Sequence, residues 1–79
     1  MLAELVRRER PVVPFVAMWA VVERPSGRTL GCLRQHEDHA GLDFTALPHG
    51  PLDALCPVGF KNLDHARTKI GRHLGGICG

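Results

Sequence analysis

The chain has 79 residues, with ten lysines and arginines against eight aspartates and glutamates, and a formal net charge of +2 at pH 7. This length predicts one domain, residues 1–79, of marginal stability, because so short a chain buries only about 60% of its unfolded surface. The charge is too small for a dedicated nucleic-acid-binding protein, and no apolar run reaches the roughly 20 residues that cross a membrane. Three cysteines without paired spacing argue against a disulfide framework and favour a reducing, cytoplasmic setting.

The first ten residues carry the spacing of a short helix. Leu2, Leu5 and Val6 recur at helical intervals, and Pro11 would end a helix there. A helix this short is unstable alone, so we expect it either to dock on the sheet or to fray.

The longest apolar run, Val12–Val22, contains the only tryptophan, Trp19. Its valine, phenylalanine and tryptophan content predicts a strand over Val12–Glu23, and Pro14 argues against a helix. Both faces are apolar, so this strand should be central in the sheet or covered on both sides. The Pro25-Ser26-Gly27 segment that follows predicts a tight hairpin turn.

Two further strands are predicted downstream. Thr29–Gln35 reads as the second strand, in which Gly31 indicates a bulge or a close approach by a large neighbour such as Trp19. Leu42–Leu47 alternates apolar and polar residues and reads as the third strand. Pro48–Gly59, rich in proline and glycine, predicts an irregular connection that is either functional or a cover for the core.

The last element is a predicted amphipathic helix. Asn62 is a favourable N-cap and Gly75-Gly76 a favourable stop, whereas Gly71 in the helix interior costs about 1 kcal/mol relative to alanine. The apolar stripe consists of Leu63, Ala66, Ile70 and Leu74. The predicted fold class is therefore α+β: a short N-terminal helix, a three-stranded antiparallel meander and a C-terminal helix packed on the sheet.

The polar side of this helix is the main candidate binding surface. At 100° per residue, several basic residues fall opposite or beside the apolar stripe. The predicted partner-binding residues are Lys61, His65, Arg67, Lys69, Arg72 and His73. Such a surface suits phosphates or an acidic protein, and histidine protonation below about pH 6.5 would strengthen it. The alternative is an ordinary solvated face whose late cations complement the helix dipole.

A second candidate is the pair His36 and His39, because imidazoles can bind zinc. A structural zinc site would need at least two more ligands, taken from Cys32, His49, Cys56 and Cys78. A polar hairpin turn is the favoured interpretation of the pair, so no metal or cofactor is predicted.

A third candidate is nucleophilic catalysis. Cys56, His49 and Asp53 lie in the same connection and could form a Cys/His/Asp set. Nothing in the spacing fixes that geometry, and Cys56 between leucine and proline is more typical of a packed thiol. We therefore expect a protein that is not an enzyme.

The predicted order of helix, three strands and helix is similar to that of the double-stranded-RNA-binding domain. In that family a basic cluster at the start of the last helix binds phosphates. The matching segment here is Lys61–Arg67, in which Lys61, Ala66 and Arg67 are loosely compatible. The family's lysine pair is absent and Asp64 would oppose phosphate, so the resemblance covers element order and only slightly favours nucleic-acid binding.

The leading functional hypothesis is a small non-enzymatic binding protein that acts by protein–protein contact, such as an inhibitor or regulator of the type encoded by phages and mobile elements. A partner strand could add to a sheet edge, and homodimerisation through an edge is a further possibility. The alternatives are a nucleic-acid-binding module that uses the last helix and a small zinc-stabilised module.

Overall fold

In the computed structural model, which describes residues 2–55 and 59–79, the protein is mostly sheet: six strands form a mixed, curled sheet, and the single α-helix has 12 residues. The elements are β1 Leu2–Arg7, β2 Phe15–Arg24, β3 Thr29–His36, β4 Leu42–Ala46, β5 Gly59–Phe60, α1 Leu63–Leu74 and β6 Ile77–Cys78, with a short 3-10 turn at Asp53–Leu55. The strand order is β5-β4-β3-β2-β1-β6, and only the β1–β6 pairing is parallel. Nothing helical in this part of the chain has the length and apolar character of a membrane span.

The sheet curls into a half-barrel, and α1 packs on its inner face. The helix begins beside β5 at one edge of the sheet and delivers the chain to β6 at the opposite edge. Ala66 and Ile70 of the helix, both fully buried, pack into one cluster with side chains from the strands. The strand and loop members of that cluster are Ala3, Val21, Leu30, Leu33, Leu42, Phe44, Ala46, Leu52, Phe60 and Cys78.

Strand β2 lies inside the sheet, as the apolar run predicts, but it begins at Phe15 and not at Val12. It pairs antiparallel with β1 on one side and with β3 on the other, so that Trp19 lies between Arg7 and Leu33. The hairpin to β3 turns at Gly27, whose φ is 77°. The predicted bulge at Gly31 is present: Val21 pairs with Gly31 but Val22 pairs with Thr29, so the register between β2 and β3 shifts at this point. A Cβ on Gly31 would lie 2.9 Å from Phe44 Cε1, so the close neighbour is Phe44 and not Trp19.

The predicted N-terminal helix is wrong, because residues 2–7 form strand β1. The apolar spacing of this segment fits a helix, yet alternation also fits: Ala3 is fully buried, whereas Leu2 and Glu4 are exposed. As a strand, the segment pairs with the second edge of β2, whose backbone N–H and C=O groups would otherwise lack partners. Arg24 Nε also donates to Glu4 Oε2 across this pairing, at 2.7 Å.

The three-stranded sheet is also wrong, because β1, β5 and β6 extend the predicted meander. The strands β5 and β6 have two residues each, too few to show a periodic pattern. Within the predicted irregular connection, residues 56–58 lie outside the described residues, and Leu52 is fully buried. With β1 in place of a helix and six strands in place of three, the element order that resembles the double-stranded-RNA-binding domain is not present.

The C-terminal helix is confirmed, including both ends. Asn62 Oδ1 accepts a hydrogen bond from the His65 backbone N–H at 2.8 Å, which is the expected N-cap geometry. Gly75 adopts a φ of 66°, and its N–H donates to the Arg72 carbonyl at 3.2 Å. Helix α1 therefore begins and ends where the sequence predicts.

Gly71 is required by a close approach of backbone to the middle of α1. A Cβ at this position would lie 3.1 Å from the Cys78 backbone N and 3.3 Å from the Gly76 carbonyl oxygen. That returning segment is fixed to β1, because the Gly79 N–H donates to the Ala3 carbonyl and the Leu5 N–H donates to the Gly79 carbonyl. The missing side chain thus lets β6 pass directly over the helix.

We predict that Gly71→Ala destabilises the protein by about 1–2 kcal/mol, although alanine favours a helix, because the new methyl group must displace hydrogen-bonded backbone. Urea denaturation measures the change in the free energy of unfolding. Thr68→Ala on the exposed side of α1 is the control and should be neutral or slightly stabilising. A higher stability for Gly71→Ala would contradict the close-approach explanation.

Candidate functional site

Three of the predicted partner-binding residues form an exposed surface on α1. Lys69, Arg72 and His73 are exposed, and within residues 2–55 and 59–79 their side chains have no hydrogen bond or ion pair. They project from a helix whose other side is buried in the core. We call these three residues the basic helix surface.

The other three predicted residues have local roles at the start of the helix. Arg67 Nη1 forms an ion pair with Asp64 Oδ1 at 3.0 Å. His65 Nδ1 accepts the Lys61 backbone N–H at 3.1 Å, and the His65 ring meets the Phe60 ring edge-on with centroids 5.7 Å apart. The exposed Lys61 side chain lies just before the N-cap. The predicted set is therefore divided between free cations and residues that organise the helix start.

Several arginines of the sheet are already committed to neighbours. Arg24 pairs with Glu4, and Arg28 lies 3.6 Å from Glu23. Arg34 lies over the Phe15 ring, with its guanidinium carbon 5.0 Å from the centroid, and donates to Thr45 Oγ1; its Nε is buried and has no partner among the described residues. These three arginines are thus held by neighbouring side chains, in contrast to the basic helix surface.

A cleft of about 460 Å³ lies between the N-terminal half of α1 and the sheet. Its apolar lining comes from Trp19, Ala40, Leu42 and Leu63. Its polar lining comes from Gln35, Asn62, Asp64 and Arg67. Sequence reasoning missed this cleft, because its residues come from β2, β3, β4, the connection before β4 and the helix start. A cleft of this volume is large enough to receive a side chain or a small ligand.

One guanidinium group lies over the Trp19 ring, and a second arginine lines the same cleft. The Arg7 guanidinium carbon is 6.0 Å from the ring centroid, and Arg67 lines the same cleft from the helix. Arg7 is the direct cross-strand partner of Trp19, so both side chains leave the sheet on the same face. The cleft therefore combines an aromatic wall with positive charge at its margin.

The pair His36 and His39 is close in space but does not assemble a metal centre with other described residues. The two rings stack with centroids 5.2 Å apart and an interplanar angle of 9°. His36 Nδ1 accepts the Asp38 backbone N–H at 3.0 Å, so this nitrogen already has a partner. Within residues 2–55 and 59–79, no group of three or more potential ligands is placed to hold a metal ion.

The two described cysteines are partly or fully buried thiols. Burial raises the pKa of Cys32, and the nearby charges of Arg34 and Arg8 oppose only part of that effect. Burial likewise raises the pKa of Cys78, opposed in part by Arg67. The proposed nucleophile Cys56 lies outside the described residues, so the Cys/His/Asp set stays a prediction from the sequence.

We predict that Cys32 and Cys78 react slowly with alkylating reagents at pH 7, because a raised pKa leaves less thiolate than in the unfolded chain. Alkylation of a Cys56→Ser variant by iodoacetamide, followed by mass spectrometry from pH 6.5 to 10, measures both rates. In the folded protein, each alkylation rate should begin to increase at a higher pH than it does in the urea-unfolded protein. Equal rates at pH 7 in the folded and urea-unfolded protein would contradict this prediction.

Comparisons with protein-family models, with curated proteins and with solved structures found no match to this chain. The functional argument therefore rests on the geometry of the chain itself. Two features carry that argument: the basic helix surface and the cleft that flanks the same helix.

Proposed function

We propose that this chain is a non-enzymatic binding domain that recognises an acidic surface of a partner protein through the basic helix surface. The observation that carries the proposal is that Lys69, Arg72 and His73 are exposed on a packed helix and have no partners within the described part of the chain. A protein that binds in this way covers part of its partner's surface, which is how a small inhibitor or regulator acts.

A protein partner is favoured over nucleic acid because of how few cations the surface presents. Lys69 and Arg72 are one turn apart, and His73 is the third basic residue of the surface. Nucleic-acid binding gains affinity from each phosphate that is neutralised, and two or three contacts give little. Asp64 on the same helix would also oppose a phosphate backbone.

Sheet-edge pairing is a weaker basis for partner binding than the helix. The two edge strands, β5 and β6, are only two residues long, and short edges offer few backbone groups to an added strand. Homodimerisation through an edge is less favoured for the same reason. The helix is the surface on which we place the partner.

We predict that Lys69→Glu/Arg72→Glu abolishes partner capture, because it reverses the charge of the basic helix surface without touching its buried side. A photo-crosslinking amino acid at the exposed Thr68 reports the contact in nuclease-treated lysate of the native host. The same crosslinker at the exposed Ser26, in the β2–β3 turn, is the positional control. The expected result is one acidic protein that crosslinks from Thr68 and not from Ser26.

The matched charge control is Arg24→Glu/Arg28→Glu, which changes the net charge by the same amount beside the β2–β3 turn and not on α1. This variant should retain the Thr68 crosslink. If both double variants lost the Thr68 crosslink equally, the attraction would depend on net charge alone, and the assignment of the contact to α1 would be overturned. Salt-dependent retention on a DNA duplex, lost only in Lys69→Glu/Arg72→Glu, would instead support the nucleic-acid hypothesis.

A further inference from the structure

We infer that the cleft beside α1 receives one aromatic side chain from an acidic segment of the partner protein. The inference deepens the proposed function and rests on it for the identity of the ligand as a protein. Its evidence is separate, because it comes from the cleft and not from the basic helix surface.

The size and walls of the cleft suit a planar side chain. Its volume of about 460 Å³ accommodates an aromatic residue and the adjoining backbone. Trp19 is only half-buried although it packs against the core, and Leu42 and Leu63 complete the apolar walls. Aromatic rings pack well against one another in offset or edge-on geometry, and an aromatic residue in a desolvated pocket is the commonest anchor of an interface.

The polar groups of the cleft suit a peptide backbone. Gln35 lines the cleft, and its side chain has no hydrogen-bond partner within residues 2–55 and 59–79. Asn62 uses its Oδ1 for the helix cap, so its amide N–H groups remain as donors. One carbonyl acceptor and several donors are therefore available to the chain on either side of the inserted ring.

The charge at the cleft margin favours an acidic segment. Arg67 lines the cleft, and Arg7 lies over Trp19 beside it. Arg67 forms an ion pair with Asp64, and the Asp64 side chain is 93% exposed. An exposed pair of this kind is weak, so a carboxylate of the ligand can replace Asp64 as the partner of Arg67.

The cleft and the basic helix surface flank the same stretch of helix. Arg67 is two residues before Lys69 on α1, and it projects from the flank that meets the sheet. Residues two apart on a helix face different sides, so the segment in the cleft meets Arg67, and Lys69 belongs to the separate contact made by the basic helix surface. The donors and the acceptor beside Trp19 are the reason for choosing a peptide and not an isolated small molecule.

The test uses the indole N–H signal of Trp19, which is unambiguous because the chain has one tryptophan. The ¹⁵N-labelled protein is titrated with the blocked pentapeptide Glu-Glu-Phe-Glu-Glu, and Glu-Glu-Ala-Glu-Glu is the control of equal charge. The expected result is a shift of the indole signal that needs phenylalanine, with affinity about fivefold or more above the alanine peptide. Equal shifts with both peptides, or none at millimolar concentration, would overturn the inference.

Two variants test the role assigned to Arg67. Arg67→Gln should weaken the phenylalanine peptide by about fivefold, and Asp64→Asn should strengthen it because it frees Arg67. Opposite or absent effects would overturn the charge argument. Asp64 is exposed and Arg67 is half-buried, so backbone signal dispersion is used to confirm that each variant is folded.

Failure of this inference and failure of the proposed function are distinguishable. Lys69→Glu/Arg72→Glu should lose the Thr68 crosslink to the partner yet keep the phenylalanine-dependent indole shift. A wild-type protein that crosslinks its partner but shows no such shift retains the proposed function and loses the cleft assignment. A shift with adenosine monophosphate in the absence of any peptide effect would make the cleft a nucleotide site and overturn the inference.

Discussion

The structure depends on the backbone pairing of β2 on both of its edges. A strand with two apolar faces in the middle of a small domain must satisfy its N–H and C=O groups on each side, because buried unpaired groups are costly. Strand β3 supplies one side through the hairpin, and β1 supplies the other. This demand turns the N-terminus into a strand and places Arg7 beside Trp19, which in turn builds one margin of the cleft.

The strands and the helix differ in how well the sequence predicts them. Strands β2, β3 and β4 and helix α1 carry patterns several residues long, and their ends coincide closely with turn and cap residues such as Gly27, Asn62 and Gly75. The sequence does not predict strand β1, because apolar spacing over six residues fits a helix or a strand equally well. Strands β5 and β6 leave no local pattern, since pairing with distant residues alone defines them.

The candidate site shows the same division between local and distant information. Helical geometry is sufficient to place Lys69 beside and Arg72 opposite the apolar stripe that contains Ile70, so the basic helix surface follows from the sequence. The cleft does not, because Trp19 and Leu63 are 44 positions apart in the chain and meet only when the sheet curls around α1. For Arg67, the sequence predicts a place among the partner-binding residues, whereas its position in the cleft follows only from the fold.

The attachment of α1 at both ends is what makes the two surfaces suitable for recognition. The N-cap fixes the helix start beside β5, and the return strand β6 crosses Gly71 and hydrogen-bonds to β1. The side chains of the helix are therefore presented from a backbone held at both edges of the sheet. A preorganised backbone reduces the ordering that association requires, so a modest number of contacts can give useful affinity. The exposed Asp64–Arg67 pair is then the component that exchanges its partner on binding, while the scaffold beneath it stays unchanged.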